Sequence, residues 1–282
     1  MDAESVLAEV NAGHGPRWSL VRPLDGGFQT GAWLLADRSG RSAVLKWGPD
    51  RDWAPQVVRA ATAVARVRAA GYPTPAWYAV GRTRGGGAYQ VQEYVRGRAL
   101  DTVDPRQATA LIDVLERQAG LGPDPRRDWS AYVRNLLTDG WPALSYPVAA
   151  AGPAGRRFVA ECERQLPAGP PANLPAADLV HGDFRPGNVL FEGGRVSGVV
   201  DIEALGCGTR AYDYATLLTA REVGAAARRA VIDAGRRVAG RAVLRWCFIA
   251  AAAELLGFMR RHGRPGADAA ARQLHAVLAE IG

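Results

Sequence analysis

The segment HGDFRPGNVL, His181 to Leu190, sets Asp183 and Asn188 on a loop that runs straight into an apolar strand, and a second apolar run, VSGVVDI, reaches another acid at Asp201. Phosphoryl transfer needs such a set: a carboxylate near the attacking hydroxyl, and an amide oxygen plus a second carboxylate as hard ligands for magnesium. Magnesium keeps water and phosphate oxygens as its other ligands, so two protein oxygens suffice. Three polar residues of this kind beside two apolar strands are hard to explain as packing, because buried acids without partners are costly.

A cation completes the set. Lys46 is the single lysine in a chain whose other basic side chains are all arginine. A generic surface charge here would be Arg, whereas lysine offers a compact point charge that sits on a phosphate oxygen without a planar fork.

Around these residues the first third of the chain reads as β-rich. WSLVRPL, GAWLLAD and SAVLKW are short runs separated by the turns DGGFQTG and RSG, a three-stranded meander with Lys46 on its third strand. Ala54 to Ala70 has helical apolar spacing and stops before Gly71, Pro73 and Pro75. WYAVGR and AYQVQEYV follow, joined by RGGG, giving a five-stranded antiparallel sheet with one helix. Beyond Val95 the texture turns helical, near Pro105 to Ala119, Trp129 to Thr138 and Gly155 to Gln165, with proline-rich connections. The exception is NVLFE and VSGVVDI, two strands joined by a GGR turn. The expected fold class is α+β in two lobes: residues 1–95 as the nucleotide-binding lobe and 96–282 as the larger, mostly helical catalytic and acceptor-binding lobe.

His181-Gly182-Asp183, Pro186, Asn188, Asp201 and Glu203, then Gly208 and Asp213, resemble in order and spacing the motif of the aminoglycoside phosphotransferase and choline kinase superfamily, a relative of the protein kinases. The resemblance covers essentially the whole chain and points to its antibiotic phosphotransferase branch. It implies a protein-kinase-like fold and Asp183 as the carboxylate that orients and deprotonates an acceptor hydroxyl. It implies Asn188 and Asp201 as magnesium ligands and Lys46 on the phosphates of ATP or GTP. Gly26, Gly27, Gln29 and Thr30 resemble the loop that covers the nucleotide, and Glu93 and Val95 would hydrogen-bond the base through their backbone. Arg185 is a candidate for offsetting charge on the transferred group.

The chain departs from this pattern in places. No glutamate lies between Lys46 and Glu93, where the family pairs the strand lysine with a helix glutamate. Gln56, Asp50 or Asp52 substitutes, or phosphate alone holds Lys46. Thr209 and Arg210 stand where the family commonly has Asp-Pro.

Simpler readings apply elsewhere. Taken alone, DGGFQTG is a hairpin turn, and His181 braces its loop. Asp213 is a buried acceptor fixing that loop and a candidate cap for the helix that follows. Glu203 is either a second metal ligand or a solvated strand end. By base rate the eight tryptophans are mostly core or lobe-packing residues, and none is singled out as a stacking platform.

With 282 residues, 48% of them hydrophobic, the chain can bury a substantial core. Its net charge of +7 is spread along the sequence with no aromatic-basic cluster, which argues against nucleic acid as a partner. The opening MDAESVLAEV lacks the basic-then-apolar order of a signal peptide, so a cytoplasmic location is expected. Cys247 to Met259, interrupted by Glu254, is short for a membrane span. Cys162, Cys207 and Cys247 lack metal or redox spacing. The expected partners are a nucleotide and a small-molecule acceptor, with the chain a monomer or weak dimer. After Tyr214 five acids face eleven arginines, whereas Asp101 to Asp178 holds ten acids able to form an acidic wall for a cationic acceptor.

Overall fold

The computed structural model describes residues 2–14, 18–24, 31–166, 169, 171 and 174–282. The expected nucleotide-covering residues Gly26, Gly27, Gln29 and Thr30 lie outside the described residues. The chain divides into two compact units, Met1–Arg98 with Leu190–Leu205, and Ala99–Val189 with Gly206–Gly282.

The first unit opens with α1 (Ala3–Gly13), a helix the sequence reading did not anticipate, capped by the Asp2 carboxylate on the Ser5 N–H. Strands β1 (Trp18–Leu24), β2 (Ala32–Asp37) and β3 (Ser42–Gly48) form the meander, followed by α2 (Ala54–Ala69), β4 (Trp77–Arg82) and β5 (Ala88–Glu93). The five strands make one antiparallel sheet in the order β1-β2-β3-β5-β4. Val6, Leu7 and Val10 of α1 close one core with Trp18, Leu35, Leu45, Tyr89 and Val91. Ala54 and Val57 of α2 pack with Ala88 in a second. The register puts Lys46 between Ala32 and Gln90 in the centre of the sheet.

The second unit begins with α3 (Pro105–Glu116), α4 (Trp129–Leu137), α5 (Trp141–Ala149) and α6 (Pro153–Gln165). A reciprocal box between Asp104 and Gln107 starts α3, and Asp128 caps α4. Helix α5 replaces an expected proline-rich connection: Pro142 falls in its first turn, where no intrahelical N–H is needed, although Pro147 lies inside it. Then come β6 (Asp178–Val180) and a short 3-10 turn, Pro186–Asn188, which leads into β7 (Val189–Glu192) and β8 (Arg195–Val199). Gly193 and Gly194 join β7 to β8 with φ of 57° and 78°, as a primed hairpin turn requires.

The hairpin groups with the first unit, a return that a single boundary after residue 95 does not contain. Arg98 and Phe191 exchange backbone hydrogen bonds of 3.1 and 2.9 Å, and the Val199 N–H donates to the Pro73 carbonyl at 2.6 Å. Strand β9 (Gly206–Gly208) pairs with β6 in the second unit, and α7 (Ala211–Thr219), α8 (Ala225–Arg261) and α9 (Ala267–Ile281) complete it. Helix α8 is broken at Gly240, where φ is 77°. By length and composition alone α8 could cross a membrane, further than Cys247 to Met259 suggested, but its run Trp246 to Ala253 is buried inside the unit as a core helix. Glu254, the acid in that apolar run, accepts hydrogen bonds from the hydroxyls of Tyr132 and Tyr212.

Candidate active site

In the first unit, Lys46 points from β3 onto Asp201, and the two form an ion pair. Two of the expected substitutes for the missing helix glutamate are engaged elsewhere. Asp50 accepts the N–H groups of Asp52 and Trp53 at 2.8 and 3.0 Å and so shapes the entry to α2. The side-chain amide of Gln56 donates to the Glu203 carbonyl at 2.8 Å, so it too is engaged elsewhere. Burial lowers the pKa of Lys46 from the usual lysine range, and the negative charge of Glu203 opposes that shift.

Asp201 has φ of 59° and is the one non-glycine residue in the left-handed region among the described residues. An L-residue there is strained, and such strain concentrates at functional sites. Two residues on, Glu203 keeps a buried Oε2 with no hydrogen-bond partner.

Glu93 and Val95 leave the end of β5. The Glu93 carboxylate is bound by Arg68 and by the Ala76 N–H, both at 3.1 Å, and its own N–H donates to the Ala76 carbonyl at 2.7 Å. Val95 lies against Gly198 so closely that a Cβ there would come within 2.8 Å of its side chain.

In the second unit, the loop after β6 is held from below by Asp213. Its fully buried carboxylate accepts the N–H groups of His181 and Gly182 at 2.7 and 2.9 Å and the amide of Gln118 at 2.9 Å. Burial raises the pKa of Asp213, against the opposing pull of the His181 ring and these hydrogen bonds. Asp213 lies inside α7 instead of capping it, so its carboxylate is free to serve the loop. His181, also fully buried, accepts the Asp183 N–H on Nδ1 at 3.2 Å, which is the bracing role expected of it. Gly182 has φ of 88°, and a Cβ on it would overlap the indole of Trp129. The loop therefore needs glycine on two counts.

On this scaffold the Asp183 carboxylate is half exposed and pairs with Arg185. Asn188 donates from Nδ2 to the Asp183 carbonyl and carboxylate at 2.8 and 3.1 Å, which orients its amide and leaves Oδ1 as an acceptor.

In the first unit Asp201 and Glu203 offer carboxylate oxygens of the kind magnesium takes, and in the second unit Asn188 offers an amide oxygen of that kind. Among the described residues no group of three or more His, Cys, Asp or Glu forms a cage, and magnesium does not require one.

Of the residues singled out from sequence, Lys46 and Asp201 meet in the first unit, where Glu93 and Val95 also lie. Asp183, Arg185 and Asn188 meet in the second. Trp129, which backs Gly182, and Gln118, which shares Asp213, were not singled out. A tryptophan and a glutamine more than fifty residues upstream of the loop carry no local signal for it.

The sequence model of the phosphotransferase enzyme family matches residues 20–247. No curated protein matches the chain by sequence. Among solved structures the chain is similar to a thermostable mutant of aminoglycoside phosphotransferase APH(4)-Ia in ternary complex with ADP and hygromycin B. The TM-score is 0.68 at 18% identity, over 100% of this chain and 99% of that one. It is also similar to the macrolide 2'-phosphotransferase of Brachybacterium faecium, with a TM-score of 0.60 and 18% identity over 96% and 97% of the two chains. An amicoumacin kinase in complex with AMP-PNP, calcium and its substrate gives 0.65 and 16% over 100% and 93%. These likenesses support the kinase-like architecture, and with more than two thirds of its length matched by the family model the chain belongs to the phosphotransferase enzyme family.

Proposed function

We propose that the chain transfers the γ-phosphoryl group of ATP or GTP to a hydroxyl of a small-molecule antibiotic, with Asp183 as base and Lys46, Asn188 and Asp201 as the nucleotide–metal set. The observation that carries the reading is the 181–188 loop, in which a half-exposed Asp183 carboxylate and an oriented Asn188 amide stand on a fully buried Asp213. The Asp183 carboxylate accepts the hydroxyl proton as the hydroxyl oxygen bonds to the γ-phosphorus. The bond from that phosphorus to the bridging oxygen breaks, and the nucleoside diphosphate leaves with the electron pair. Arg185, already beside Asp183, orients that carboxylate and is near enough in sequence to meet charge on the transferred group. A bound magnesium ion supplies charge neutralisation on the phosphate oxygens, and Asn188 and Asp201 are the residues that would hold it. Lys46 contributes a fixed positive charge to the phosphates. At the end of β5 the Glu93 N–H is engaged, so a base would meet the Glu93 carbonyl and the Val95 N–H. Gly26, Gly27, Gln29 and Thr30 are proposed for the phosphates on their resemblance in sequence alone.

The antibiotic acceptor is favoured by the relatives, which act on an aminoglycoside, a macrolide and amicoumacin. The acids once expected to form an acidic wall are largely committed within the fold. Asp104 and Asp128 cap helices, Asp124 pairs with Arg126, Glu161 with Arg164, and Glu116 and Asp178 share Arg210. A metabolic acceptor such as choline, homoserine or a sugar is the second reading. A weak nucleotide-binding regulator, suggested by the missing helix glutamate, is a third reading, and nucleotide binding without transfer to any acceptor would point to it. The reaction belongs where ATP is made and held, which favours the cytoplasm.

Mass spectrometry of a panel of hydroxylated antibiotics and metabolites, incubated with the chain, magnesium and ATP or GTP, tests the proposal. One antibiotic gaining a single phosphate is the expected result. Phosphate gained only by metabolites would favour the second reading, and nucleotide binding with no product across a widened panel would count against transfer altogether.

A further inference from the structure

We infer that Gln56 is a positioning residue that ties α2 to the Asp201–Glu203 segment by a neutral hydrogen bond. The inference rests on the reading of Asp201 as part of the nucleotide–metal set. Asp201 is held in a left-handed backbone conformation, which an L-residue keeps only where its surroundings over-determine it. Its neighbours supply the constraint. Ile202 is buried, the Leu205 N–H donates to the Ile202 carbonyl at 3.0 Å, and Lys46 pairs with the Asp201 carboxylate. From α2 comes the Gln56 side chain, donating to the Glu203 carbonyl at 2.8 Å across 147 residues of sequence.

The amide of Gln56 is itself oriented. Its Oε1 accepts from Arg59 one turn along α2, so its nitrogen is the end turned to Glu203. A carboxylate at position 56 would have no proton to offer the Glu203 carbonyl. It would also bring a second negative charge to a segment that already holds Asp201 and Glu203. Glutamine is therefore the functional choice at this position, and an acid placed here on α2 would harm the site.

The test uses the full chain in four forms: wild type, Gln56→Met, which keeps length but loses the donor, Gln56→Glu, and Gln56→Lys, which offers a donor again. Hydrogen exchange of residues 202–205 without ligand should speed up in Gln56→Met and Gln56→Glu and stay near wild type in Gln56→Lys. Calorimetry with AMP-PNP should show magnesium-dependent binding weakened by about tenfold in the first two variants, with most of it recovered in the third. Binding without magnesium and the melting temperature should change little. Unchanged exchange and unchanged affinity in Gln56→Met would overturn the inference, as would equal losses with and without magnesium. If wild type binds no nucleotide while exchange follows the expected order, the tether stands as a structural feature and the functional reading fails.

Discussion

Lys46 and Asp201, 155 residues apart in sequence, meet as an ion pair in the first unit. The lysine was legible because it is unique in a chain that otherwise uses arginine. Its partner was not, because a pairing over that distance depends on β8 returning to the first unit. A flexible point charge and a planar fork are different tools here, so Lys46→Arg should not substitute. We expect Lys46→Arg and Lys46→Met each to lower kcat/KM for the nucleotide by at least about a hundredfold, as removal of a fixed charge at a developing phosphate charge does. Steady-state kinetics on the first acceptor found would check this, and near-normal turnover by Lys46→Arg would contradict it.

At the scale of the element, the 181–188 loop is shaped by groups its own sequence only partly announces. His181, Gly182, Asp183 and Asn188 were readable from type and spacing, and so was Asp213 as a buried acceptor. Its place inside α7 was not readable, since helix boundaries shift by a residue or two with little change in pattern. Trp129 beneath Gly182 comes from α4, and no local periodicity links the two. Gly182→Ala should therefore both strain the backbone, by about 1–2 kcal/mol, and collide with the indole. A melting curve should show a clear loss of stability, with kcat falling further than nucleotide affinity. Asp213→Ala would remove the acceptor of the buried His181 N–H, at about 1–3 kcal/mol, and that of the half-buried Gly182 N–H at less. Urea unfolding should register that loss, and a variant as stable as wild type would refute the role given to Asp213.

Across the whole molecule, the five-stranded sheet with α2 followed the alternation and turn signals closely. α1 and α5 escaped notice: α1 was read only for leader-peptide character, and the prolines of α5 suggested a connection. Strands β6 and β9, three residues each, are too short to show a period. The long apolar stretch of α8 is explained by burial, with Phe248, Ile249 and Leu256 among its buried side chains. Phe248→Ala should cost about 3–5 kcal/mol in urea unfolding, the range for emptying a packed aromatic site. Partition of the chain into membranes with Phe248 exposed to lipid would contradict that placement.

The central claim is that Asp183 takes the acceptor's proton while other residues hold the nucleotide. Asp183→Asn keeps the shape and removes the carboxylate, so it separates the two functions. Measured side by side with wild type, the variant should bind nucleotide within about twofold by calorimetry, while phosphorylated product falls by about 10²–10⁴-fold. Normal turnover by Asp183→Asn would contradict the account.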